Sequence, residues 1–78
     1  MKLVAWEELR DVCRLLGWVH SRTKGDHYVM TKPGMARPIV IKMAKDLGED
    51  TIRTNMHTLG VDRKEFETHL NTVRRRRR

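Results

Sequence analysis

Cysteine is almost missing from this chain: Cys13 is the single one among 78 residues. One thiol cannot close an intramolecular disulfide, and it has no companion with which to build a metal motif, so the composition suits a reducing cytosol. Aromatic residues are scarce too, with two Trp, one Tyr and one Phe. So few rings exclude a broad platform on which successive bases stack. No apolar run approaches a membrane span, and the opening MKLVAWEELRD turns acidic too soon for a secretory signal. A soluble, cytoplasmic protein is expected. A chain of this length buries only roughly 60–65% of the surface that its unfolded form exposes, which supports one domain with one modest core.

Acid is the minority charge. Seventeen Lys and Arg stand against ten Asp and Glu, for a net charge of +7. Five of those cations are the terminal run Arg74 to Arg78; without them the body carries twelve basic and ten acidic residues, a net of +2. The expected organisation is a mildly basic domain over residues 1–73 and a poly-Arg tail over 74–78, self-repelling and drawn to phosphate polymers.

What is present is periodic. In WEELRDVCRLLGW, Leu9, Val12, Cys13 and Leu16 fall at i, i+3, i+4 and i+7, which predicts a helix with Cys13 on its apolar stripe. Gly17 is placed to take positive φ after it, with Trp18 as the closing contact. Three extended segments follow, WVHSR, DHYVMTK and PIVIKM, punctuated by Gly25 and by Pro33-Gly34, which predicts an antiparallel meander. Alternation puts Tyr28, Met30, Ile39 and Ile41 on the core side and His27, Val29, Thr31, Val40 and Lys42 on the other. EDTIRTNMHTLG predicts a second helix with Ile52, Met56 and Leu59 facing inward. DRKEFETHL predicts a short third one, opened by Asp62 and Glu65 at capping-box spacing. Helices at both ends of a three-stranded antiparallel sheet imply an α+β domain with the helices on one face.

In this order the residues resemble a known family. LLGW at the end of the first helix, KGDHYVM in the hairpin and DTIRTNMHTLGVDRKEF later in the chain resemble the HicA-type toxins, small bacterial ribonucleases of toxin–antitoxin pairs. The family's Gly-polar-His step reads here Gly25, Asp26, His27; its Thr-rich helix start, Leu-Gly-Val break and Glu-Phe pair read Thr51, Leu59 to Val61, and Glu65 with Phe66. Where relatives carry Pro-x-His after the third strand, this chain has Ile41-Lys42-Met43.

The resemblance implies a double-stranded-RNA-binding-domain-like fold, α-β-β-β-α(-α). It also implies an mRNA endoribonuclease that inhibits translation and growth, and a HicB-like antitoxin as partner. His27 is then the catalytic residue, a general base that lets the RNA 2′-OH attack the adjacent phosphate, a task suited to an unperturbed pKa near 6.5. Arg22, Lys24 and Lys42 are the candidates to hold that phosphate, with Arg74, Arg75 and Arg76 adding RNA contact from the tail. No cofactor is expected, and no metal, because the histidines lack ligand spacing. His20 is a second proton carrier if it lies across the hairpin from His27. Tyr28, Trp6 and Trp18 are expected to pack rather than to stack bases, and His57 and His69 to sit on solvated helix faces. Two other readings remain: an RNA- or DNA-binding module of the same fold that does not cleave, and a domain that contacts only protein.

Overall fold

The computed structural model describes residues 4–76, and Arg77 and Arg78 of the tail lie outside them. The element order is α1 (Trp6–Leu15), β1 (Val19–Lys24), β2 (His27–Thr31), β3 (Ile39–Lys42), α2 (Glu49–Leu59) and α3 (Arg63–Arg76). The strands form one antiparallel sheet in the order β1-β2-β3. The α+β arrangement expected of a double-stranded-RNA-binding-domain-like fold is therefore the one adopted.

Local chemistry sets each boundary. At the start of α1 the N-cap is Ala5, which offers no acceptor, so only the returning half of a capping box forms: the Ala5 N–H donates to Glu8 Oε1 at 3.0 Å. The helix closes on Gly17 at φ 93°, with the Trp18 N–H donating to the Cys13 carbonyl and the Gly17 N–H to that of Arg14. This pair of bonds is a Schellman closure, and it brings Trp18 into the core. β1 runs two residues beyond the expected WVHSR, through Lys24, and leaves a turn of Gly25 and Asp26, with Gly25 at φ 59° as so short a hairpin requires. At α3 the Glu65 N–H donates to Asp62 Oδ1 at 2.8 Å and the Asp62 N–H to Glu65 Oε1 at 3.4 Å, the reciprocal box read from the sequence.

The core lies between the sheet and the helices. Tyr28, Met30, Ile39 and Ile41 contribute from the sheet, Leu9, Val12 and Cys13 from α1, Ile52 and Met56 from α2, and Phe66, Leu70 and Val73 from α3. α3 is much longer than the short helix expected, because Val73 continues the Phe66–Leu70 stripe by one turn and packs with it into the core. Beyond Val73, Arg74 grips Glu8 through Nε to Oε2 at 2.5 Å and Nη2 to Oε1 at 3.2 Å, which joins the last turn of α3 to the first turn of α1. Arginine is a good helix former, and cations at a helix C-terminus complement its dipole. The described part of the tail, Arg74 to Arg76, is thus ordered helix rather than a separate coil.

Burial in this core pushes the Cys13 thiol up to about 12. A thiol is neutral when protonated, so the fold favours the protonated form. Its contribution is intact below the unfolded pKa near 8.5 and is lost as pH rises from there towards 12. Urea unfolding of wild type and Cys13→Val between pH 8 and 11 is expected to show the wild type losing stability relative to the variant, by at most about 1.4 kcal/mol per pH unit. Parallel curves across that range would mean that the thiol ionises as freely in the fold as out of it.

Candidate functional site

On the side of the sheet away from the core, pairing register decides which side chains meet. Lys24 of β1 pairs with His27 of β2, and His27 pairs with Lys42 of β3. Directly opposed residues of antiparallel strands have Cα atoms about 4.5–5.5 Å apart, so the imidazole stands between two lysines in a single row across all three strands. All three side chains belong to exposed residues. The next row on the same face is Arg22, Val29 and Val40. Flanked in this way, Val29 is buried although it lies on the open side.

His27 opens β2 directly after the turn, and its neighbour Asp26 reaches back to it. Nδ1 and Asp26 Oδ1 are 3.0 Å apart, with the two side chains 53% and 58% exposed. A carboxylate accepts and does not donate, so this contact places the proton of a neutral ring on Nδ1 and leaves the Nε2 lone pair free. The Asp26 carbonyl meanwhile accepts from the Met43 N–H at 2.7 Å, which ties the turn to the end of β3. Met43 itself packs against the core.

His20 is not the second proton carrier. A register shift between His20 and Arg22 inserts an extra residue in β1, and His20 pairs with Met30, on the core side of the sheet. Its ring lies 4.5 Å from that of Tyr28, and Nε2 is 2.9 Å from Thr23 Oγ1. Tyr28 is packed as expected, with Trp6 at 5.4 Å and an Arg14 Nη2 donating to its hydroxyl at 3.3 Å. His57 is exposed on α2 and His69 half-buried on α3.

Arg74 and Arg76 of the tail stand away from the row. Arg74 is engaged by Glu8, and Arg76 lines a cleft of about 410 Å³ with Asp11, Arg14, Leu15 and Val73, between α1 and α3 on the helical side. One residue passed over in the sequence stands out near the row. Asn55 falls at i+3 from Ile52, on the apolar stripe of α2, and is buried there. A polar side chain at a stripe position was its signal in the sequence.

Three comparisons bear on this arrangement. A family model described as the HicA toxin of bacterial toxin–antitoxin systems matches residues 6–61, well over half of the chain. A chain of the toxin–antitoxin complex from Streptococcus pneumoniae superimposes with a TM-score of 0.62 at 30% identity, over 77% of this chain and 100% of that one. Among curated proteins none matches.

Proposed function

Because the chain belongs to the HicA toxin family of bacterial toxin–antitoxin systems, we propose that it is a toxin acting as a metal-independent mRNA endoribonuclease with His27 as general base. The observation that carries this reading is the row Lys24–His27–Lys42, in which one oriented imidazole stands between two cations on an open surface.

Each group has a task. RNA brings its own nucleophile, the 2′-OH, and His27 Nε2 takes its proton as the oxygen attacks the neighbouring phosphorus. The bond to the 5′-oxygen then breaks, that oxygen leaves with a proton drawn from water, and a 2′,3′-cyclic phosphate remains. Lys24 and Lys42 bracket the phosphate as charge develops on its oxygens, with Arg22 one row further along the strand. Asp26 holds the ring in place through Nδ1. The partner that restrains such an enzyme is a HicB-like antitoxin, for which a mildly basic face offers charge complementarity to an acidic surface.

RNA incubated with the purified protein in EDTA is expected to yield fragments with 2′,3′-cyclic phosphate and 5′-OH ends. Fragments with 3′-OH and 5′-phosphate ends would overturn the 2′-OH route.

The exposed Arg75 and Arg76 extend RNA contact from the far side of the domain. Replacing both by alanine is expected to lower the slope of log affinity against log salt for single-stranded RNA by about 1.4, at roughly 0.7 per phosphate contact. If RNA binds but is never cut, the binding-module reading replaces the enzymatic one, and an unchanged slope removes the tail from either.

A further inference from the structure

α2 carries a polar side chain where its apolar stripe has room for a hydrophobic one. Asn55 lies between Ile52 and Met56 on the inward face and is only 6% exposed. Its side chain makes no hydrogen bond within the described residues. Yet none of the fully enclosed side-chain nitrogen or oxygen atoms among those residues lacks a partner. Both statements hold only if the Asn55 amide keeps a small opening to the outside. That opening is a cavity of about 250 Å³ lined by Val40, Asp50, Thr51, Thr54 and Asn55.

The cavity adjoins the proposed reaction site. Val40 is two residues from Lys42 along β3, on the same face as Lys42 and His27 and in the row next to theirs. Two residues of strand span roughly 7 Å, a distance of the order of one nucleotide step along an RNA chain. A strand with its scissile phosphate in the Lys24–His27–Lys42 row therefore brings a neighbouring base to the cavity mouth.

The lining chemistry selects which part of a nucleotide enters. Lysine and arginine are absent from it, and it includes a carboxylate, so it does not suit phosphate. It offers an amide with both donor and acceptor, two threonine hydroxyls that serve as either, a carboxylate acceptor at the mouth, and the apolar wall of Val40. An unstacked base meets these requirements, since its face packs on an aliphatic wall and its edge presents donors and acceptors together. Side-chain amides pair bidentately with an adjacent donor and acceptor on a base edge, such as the N6 amino group and N7 of adenine, a pairing that the same purine ring without its amino group cannot make.

Resting on the ribonuclease reading above, we infer that this cavity is a base-recognition subsite, in which Asn55 pairs with the donor-and-acceptor edge of an unstacked base, such as adenine, next to the scissile phosphate. Burial without a protein partner gives the amide its discriminating power. A base that satisfies it gains two hydrogen bonds, and one that does not leaves it desolvated and unpaired.

The test compares short RNAs that differ only in carrying adenine, unsubstituted purine or cytosine beside one cleavable step, cut by wild type, Asn55→Leu and Asn55→Asp. The readout is the ratio of kcat/KM for the adenine and purine substrates, which cancels any change in overall activity or folded fraction. Wild type is expected to favour A, and Asn55→Leu to reduce that ratio by roughly 5- to 150-fold, the worth of one bidentate base contact. Asn55→Asp, left with acceptors alone, is expected to shift preference towards cytosine, whose N4 amino group donates to a carboxylate. A ratio near one in wild type, or one unchanged in Asn55→Leu, overturns the subsite while leaving the ribonuclease intact.

If wild type cuts nothing, the ribonuclease reading fails and the subsite is judged by binding alone. Oligoadenylate should then shift the Asn55 side-chain amide resonances at lower concentration than the same oligomer of unsubstituted purine. Resonances that neither moves, or that only a protein partner moves, overturn it.

Discussion

RNA treated with a His27→Ala protein in EDTA is expected to be cut about 10²–10⁴ times more slowly than by wild type, the usual loss when a positioned proton acceptor is removed. The magnitude follows from how much of the site remains. Lys24 and Lys42 still bracket the phosphate and the sheet still holds the strand, so electrostatic and positional contributions survive while proton removal falls to water. The substitution is also clean. The His27 side chain is 53% exposed and its one polar contact is with its neighbour Asp26, so thermal stability should stay within about 0.5 kcal/mol of wild type. Slow cutting by a folded variant therefore reports chemistry, not unfolding. Asp26→Asn should fall between the two proteins, because an amide can turn its NH2 as well as its oxygen towards the ring and so orients Nδ1–H less strictly. Equal rates for wild type and His27→Ala would place the activity on other residues or in a contaminant.

The second large effect is on folding. Phe66→Ala is expected to destabilise the domain by about 3–5 kcal/mol, the range for truncating a large aromatic in a packed core. Phe66 is completely buried and stands on the first turns of α3, where it anchors that helix in the core shared with α1 and the sheet. A domain of this size has a total stability of only about 4–12 kcal/mol. At the low end of that range the variant is partly unfolded without denaturant, and its urea midpoint should fall by about a quarter or more. Fluorescence of the buried Trp18 reports the transition. A loss below about 1 kcal/mol would mean that α3 is peripheral to the core.

Several features of this architecture are legible in the sequence because they depend on neighbours within a turn or two. The α1 stripe of Leu9, Val12 and Cys13, its closure on Gly17 and Trp18, and the Asp62–Glu65 box are all local and form as expected. The two faces of the sheet follow from alternation alone, and Tyr28, Met30, Ile39 and Ile41 indeed fill the core. What depends on distant partners is not legible in that way. The placing of Lys24 and Lys42 beside His27 is a matter of register, set by the tight turn at Gly25 and by the pairing of β3. The extra residue near Ser21, which sends His20 to the opposite face, leaves no mark in the alternation of so polar a strand. The length of α3 was missed because Asn71 and Thr72 are indifferent helix formers. The contacts that carry the helix past them, Val73 in the core and Arg74 on Glu8, join residues far apart in the chain.

β1 has a consequence for how copies of this protein meet one another. It is an edge strand with every residue exposed, so its outer row of N–H and C=O groups is free to template a further strand. The irregularity between His20 and Arg22 breaks the even spacing of that row, and Arg22 and Lys24 add charge of one sign along it. Two such edges approaching each other would have to pair a kinked ladder and bring like charges together. The cations proposed to hold a phosphate would thus also discourage sheet-to-sheet polymerisation, so that colloidal stability and the proposed substrate affinity draw on one set of residues. Neutralising Arg22 and Lys24 together would change both properties at once.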